Sequence, residues 1–133
     1  MNKPVRIVIC LVALAAAGAA WAQATEFALL DRLERGNWSL TYRIDDAGPG
    51  RICVATGREL IQLRHSRLKC RSVILEDTRH AVTVQYSCPG NGYGRTHIRR
   101  ESDRLVQIDT QGIESGLPFA FAAEARWIGA CQR

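Results

Sequence analysis

Residues 70–88 read CRSVILEDTRHAVTVQYSC, a stretch with a cysteine at each end and turn residues in the middle. Side chains alternate between the two faces of a strand, so a hairpin here is testable by register. With Thr78, Arg79 and His80 as a three-residue loop, Asp77 faces Ala81, Glu76 faces Val82, Ile74 faces Val84, Ser72 faces Tyr86 and Cys70 faces Cys88. One face then carries Ile74, Val82, Val84, Tyr86 and both cysteines. The other carries Arg71, Thr83, Gln85 and Ser87, with Val73 and Leu75 as apolar exceptions. A slip by one residue would oppose apolar to polar positions, so burial of one face fixes the pairing. Directly opposed cysteines are close enough to bridge. A bridge closing a loop of this size stabilises by roughly 3 kcal/mol, chiefly by restricting the unfolded chain.

The N-terminus supplies the oxidising compartment that such a bridge needs. Lys3 and Arg6 precede an uncharged apolar run over 7–20, and Ala20-Trp21-Ala22 fits a signal cleavage site. The run is short for a bilayer span. Residues 1–22 are expected to be a cleaved secretion signal, leaving no transmembrane segment; an uncleaved anchor is the alternative. Of the five cysteines, Cys10 lies inside this run, which leaves Cys53, Cys70, Cys88 and Cys131. Four cysteines in a small exported domain are expected to pair, and three connectivities exist. The hairpin register favours Cys70–Cys88, leaving Cys53–Cys131; Cys53–Cys70 with Cys88–Cys131 stays open. No Cys-x-x-Cys and no histidine pair at ligand spacing occurs, so neither a metal nor another cofactor is expected.

A chain of 133 residues supports one domain after the signal, and a core this small benefits from covalent staples. The net charge of +5 falls by two when Lys3 and Arg6 leave. That balance is far from the charge density of a nucleic-acid binder. After export, the anionic partners within reach are lipid head groups, lipopolysaccharide and wall polymers.

The remaining segments follow from periodicity. Within 23–36 a helix is expected over 25–35, capped by Thr25, striped by Phe27, Leu30 and Leu33, and ended by Gly36. Residues 37–44 alternate as a strand, with Trp38, Leu40, Tyr42 and Ile44 on the apolar side. A turn over 45–50 follows, in which Asp45 and Asp46 are read as solvated. Cys53 opens a connector, and Thr56 caps an expected short helix over 57–65. Arg64, His65, Arg67, Lys69 and Arg71 then form a basic cluster. It is either an anion-facing patch or a solvated helix end whose cations suit the helix dipole.

Beyond the first hairpin, residues 89–94 form a turn, and a second hairpin is expected over 93–100 and 104–110. Arg95, His97 and Arg99 share one face of its first strand, as a candidate binding face or the wet face of an edge strand. Residues 112–118 are expected to loop. Residues 119–127 close the chain as a strand with Phe119, Phe121, Ala123, Ala125 and Trp127 on one side. The expected fold is mainly β: over 37–133, about six antiparallel strands in a curved sheet or partly open barrel, with one or two short helices.

Gly36-Asn37-Trp38, the four spaced cysteines and the closing Arg126-Trp127-Ile128-Gly129-Ala130-Cys131 resemble a domain-of-unknown-function family of small exported proteins of Gram-negative bacteria, mainly proteobacteria. That family shows a Gly-x-Trp start, four cysteines and a terminal Arg-x-x-Gly-x-Cys. The resemblance covers about 36–131, and this chain lacks the Met-Pro-rich stretch common after the first strand. It implies a periplasmic location and supplies no catalytic residues.

Function is less legible. His65, His80 and His97 are the histidines, and no Gly-x-Ser-x-Gly, His-Glu-x-x-His or phosphate loop accompanies them. The expectation is a non-catalytic periplasmic module that binds an envelope component or a small apolar ligand in the sheet's concavity. Its candidate anion-facing residues are Arg64, Arg67, Lys69, Arg71, Arg95 and Arg99. A lysozyme-inhibitor-like protein is an alternative that the positive charge opposes, since lysozymes are cationic. A weak hydrolase working through His97 or His65 is another.

Overall fold

The structure, a computed structural model, describes residues 27–44 and 48–132. The expected signal segment 1–22, the capping Thr25 and the pair Asp45-Asp46 lie outside the described residues. Seven strands are formed: β1 (Gly36–Tyr42), β2 (Arg51–Val54), β3 (Arg71–Asp77), β4 (Ala81–Cys88), β5 (Gly92–Ser102), β6 (Leu105–Glu114) and β7 (Leu117–Gly129). They make one antiparallel sheet in the order β2-β1-β7-β6-β5-β4-β3. From β3 to β7 it is a meander of hairpins. β1 lies against β7, and β2 folds back on β1. The sheet is open, with β2 and β3 at its edges.

The alternation read from sequence decides which face is buried. Trp38, Leu40, Val82, Val84, Tyr86, Ile98, Val106, Ile108, Phe121, Ala123 and Ala125 form the inner face and are all buried. Phe27, Leu29, Leu30 and Leu33 from the N-terminal segment, and Val54, Leu60, Ile61 and Leu63 from the connector, close over it in one cluster. Those two covering segments are not the expected helices. The first holds a single 3₁₀ turn, Leu30–Arg32, and the second holds two, Arg58–Leu60 and Leu63–His65. Their apolar residues are satisfied by single turns laid on the sheet, and runs this short gain little from helix propagation.

Other boundaries moved. Residues 51–54 are a strand, not a connector. The expected loop 112–118 is mostly strand, broken only by the turn at Ser115-Gly116. Ile44 lies beyond β1 and is exposed.

Both expected disulfides are present. Cys70–Cys88 closes the β3–β4 hairpin with Cα atoms 4.3 Å apart. Cys53–Cys131 links β2 to the residue two past β7, with Cα atoms 5.6 Å apart. The hairpin register is as expected from Arg71↔Ser87 to Ile74↔Val84. A bulge then inserts Leu75, so Glu76 opposes Thr83 and Asp77 opposes Val82. The bulge turns the Glu76 side chain to the outer face. It brings Asp77 inward, where its carboxylate accepts the Ala28 N–H at 3.0 Å. β3 itself is exposed along most of its length, so Ile74 is not the core residue that alternation implied.

Candidate functional site

The outer face of the sheet is ordered into lateral rows by the strand registers. One row runs Arg71, Ser87, Tyr93, Ile113 and Pro118. The next runs Val73, Gln85, Arg95, Gln111 and Ala120. A third runs Glu76, Thr83, His97, Asp109 and Ala122, and a fourth runs Arg99, Gln107, Glu124 and Thr41.

Side-chain ties on this face are found in the third and fourth rows. The Thr83 hydroxyl donates to Glu76 Oε2 at 3.0 Å and lies 2.8 Å from His97 Nδ1. A hydroxyl has one proton, so with it committed to the carboxylate His97 Nδ1–H is the donor to Thr83. In the neutral ring Nε2 is then the acceptor nitrogen, and the side chain is 42% exposed. Thr83 itself is buried, which makes it a link and not an accessible nucleophile. In the fourth row Gln107 donates to Glu124 at 3.0 Å, as does Arg126, and Arg99 pairs with Glu101 at 3.6 Å. Hydrogen bonds from Gln107 and Arg126 hold the Glu124 carboxyl below its ordinary value.

The first and second rows carry no such tie among the described residues. Among the described residues, Gln85, Arg95 and Gln111 have no side-chain hydrogen bond or ion pair. An open groove of about 380 Å³ is lined by Arg95, His97, Asp109, Gln111 and Ala120, among others. A second groove of about 380 Å³ shares Arg95, Gln111 and Ala120 with it and adds Gln85, Tyr93 and Phe119. Three planar polar groups thus cross a floor lowered by Ala120, with the exposed Tyr93 ring on one flank and, on the other, the Thr83-bonded His97 and the Asp109 carboxylate.

The structure divides the six expected anion-facing residues. Arg71, Arg95 and Arg99 lie on the outer face, in separate rows. Arg64 sits at the rim of the inner face, bonded to Glu114 and 6.0 Å from the Phe119 ring centre. Arg67 and Lys69 are exposed in the turn before β3. The neutral members Gln85, Gln111 and Tyr93 were missed in the sequence, because only the lateral register collects them.

His65 departs from its expected solvation. It is 2% exposed, with Nδ1 3.0 Å from the Tyr86 hydroxyl and its ring edge-on to Tyr86 and Phe119. Its Nε2 is buried without a partner. Nearby, Thr96 donates to the Ile61 carbonyl and bonds Thr110 at 2.8 Å. Burial pushes the Tyr86 phenol up to about 12, a hydrogen bond with Thr110 acting the other way. This cluster fastens the connector to the inner face and is closed to solvent.

Among the described residues, no group of three or more His, Cys, Asp or Glu is placed to hold a metal ion, and no helix is long and apolar enough to cross a membrane. The fold defines a disulfide-stapled, seven-stranded antiparallel β protein. Comparison with protein-family models, with curated proteins and with solved structures finds no match to this chain.

Proposed function

We propose that the protein is a periplasmic, non-catalytic binding module, exported by a cleaved signal over 1–22, whose outer face holds an anion-bearing polar component of the cell envelope. One observation carries this: Gln85, Arg95 and Gln111 stand together over an open groove with no internal partner, beside a third row in which Thr83 already bonds Glu76 and His97. A guanidinium takes a carboxylate or phosphate by two parallel hydrogen bonds, and flanking amides both donate and accept toward hydroxyl or amide groups. Tyr93 adds an exposed ring for an apolar sugar or acyl face. The inner face is filled by core side chains, so the ligand is assigned to the polar groove instead of the sheet's concavity.

Two disulfides support an oxidising location, and the N-terminal sequence supports the periplasm. Membership of the resembled family is part of the proposal. Its support is that the distant motif ends meet: Trp38 opposes Trp127, and Gly36 packs on the backbone of Gly129, where a Cβ would clash. The test is amide NMR of the oxidised protein titrated with soluble lipopolysaccharide core oligosaccharide and with wall fragments. Saturable shifts confined to β4–β6 around Arg95 are expected. Shifts centred elsewhere, or none with either class, would remove the proposal.

A further inference from the structure

The two edges of the sheet are treated differently. β2 is four residues long, is stapled by Cys53–Cys131, and has the connector packed beside it. β3 is seven residues long and ends the strand order. Its central Val73, Ile74 and Leu75 are 64%, 36% and 50% exposed. Among the described residues no other strand covers its outward backbone groups. The strand carries charges at both ends and a bulge at Leu75, but it has neither proline nor lysine, and its exposed apolar centre is a template for a further strand.

We propose that β3 pairs with β3 of a second copy of this chain, antiparallel about a two-fold axis at Val73. Register and charge select this occupant. Arg71, Val73 and Glu76 all lie on the outer face, because the extra residue at Leu75 restores the alternation beyond it. With Val73 opposite Val73 of the second copy, that same insertion sets Arg71 opposite Glu76 of the second copy. Two-fold symmetry repeats the pair on the other side. An apolar contact is thus flanked by two opposite-charge pairs, each directly opposed across the strands. The Glu76 Oε2 is engaged by Thr83, and Oε1 remains for Arg71. An isologous pairing consumes both β3 edges, so it closes at a dimer instead of growing into a fibre.

Dimerisation would put two Arg95 rows on one continuous face, five strand spacings apart, or about 24 Å. A repeating envelope polymer could then engage both and gain by effective concentration. This consequence rests on the function proposed above; the pairing does not.

The test is sedimentation velocity on the oxidised full chain, expressed with its own N-terminal segment, over a wide concentration range. A monomer–dimer equilibrium with no larger species is expected. V73R should abolish the dimer while the near-ultraviolet circular dichroism is kept, since Val73 is exposed. R71E and E76R should each weaken association about tenfold, as two symmetry-related pairs turn repulsive. The double variant R71E/E76R should recover it. A monomer at all concentrations, species beyond a dimer, a dimer indifferent to V73R, or no recovery in the double variant would overturn the proposal. None of these readouts depends on ligand binding.

Discussion

The Tyr86 ring lies across the Cα of Gly94, the residue directly opposite it on β5. A Cβ at position 94 would fall within the contact distance of the ring and its hydroxyl. The ring has little room to yield, because His65 holds the hydroxyl and packs against it at 5.4 Å between centroids. Gly112, opposite Gly94 on β6, likewise lies against the Tyr93 carbonyl. The two glycines make the space in which the inner face accepts a large phenol and, behind it, the connector.

Gly94→Ala is expected to destabilise by about 1–3 kcal/mol through overpacking, read as a lower urea midpoint. The penalty should shrink in a Tyr86→Leu background, because the two positions share one contact. Equal penalties in both backgrounds would show that the ring is not what excludes a side chain at 94.

Burial raises both the Tyr86 and the Tyr42 phenol to about 12. The folded values lie above the unfolded ones, so the stabilising contribution is complete below pH 10 and is lost as pH rises from 10 through 12. Stability measured rapidly after a pH jump should therefore fall over this window, by on the order of 2 kcal/mol for the fully buried Tyr86. Tyr86→Phe should flatten its part of the fall, and an unchanged slope would contradict the assignment.

The bridges span 78 and 18 residues of sequence. By loop entropy, removing Cys53–Cys131 by paired alanine substitution should cost about 4.5 kcal/mol and removing Cys70–Cys88 about 3 kcal/mol. Paired variants unfolded in urea give the comparison. A larger loss from the hairpin bridge would mean that β3 needs its staple for native pairing and not only for chain entropy.

The Glu76–Thr83–His97 chain assigns a proton. Long-range nitrogen–proton NMR of neutral His97 should show the Nδ1–H tautomer. Thr83→Val removes the acceptor at 2.8 Å and should shift the population toward Nε2–H. An Nε2–H tautomer in the unaltered protein would reverse the assigned direction.

Much of this fold could be read from the sequence, because alternation and cysteine spacing are local signals. The hairpin register was legible as far as Ile74; the Leu75 bulge was not, since nothing in Val73-Ile74-Leu75 marks which residue is extra. β2 was missed because four residues behind Pro49-Gly50 show no period. The covering segments look helical in sequence because Leu60, Ile61 and Leu63 suit a helical stripe, yet Gly57 at φ +83 and the brevity of the run favour isolated turns. Gly112 suggested a loop, when its role is to face Gly94 within a strand. Arg95, His97 and Arg99 were legible as one face by alternation. Gln85 and Gln111, on other strands, join Arg95 only through pairings that a single sequence does not display.

The central claim is that Arg95 and its two amide neighbours form a binding row left open for an envelope anion. It is tested most directly by titrating the oxidised protein and its Arg95→Ala and Arg126→Ala variants with lipopolysaccharide core oligosaccharide and wall fragments, at low and high salt. The account predicts saturable binding to one of these classes that salt weakens, that Arg95→Ala abolishes with stability changed by less than about 0.5 kcal/mol, and that Arg126→Ala leaves intact. Binding that survives Arg95→Ala, or that falls equally in both variants, would contradict it.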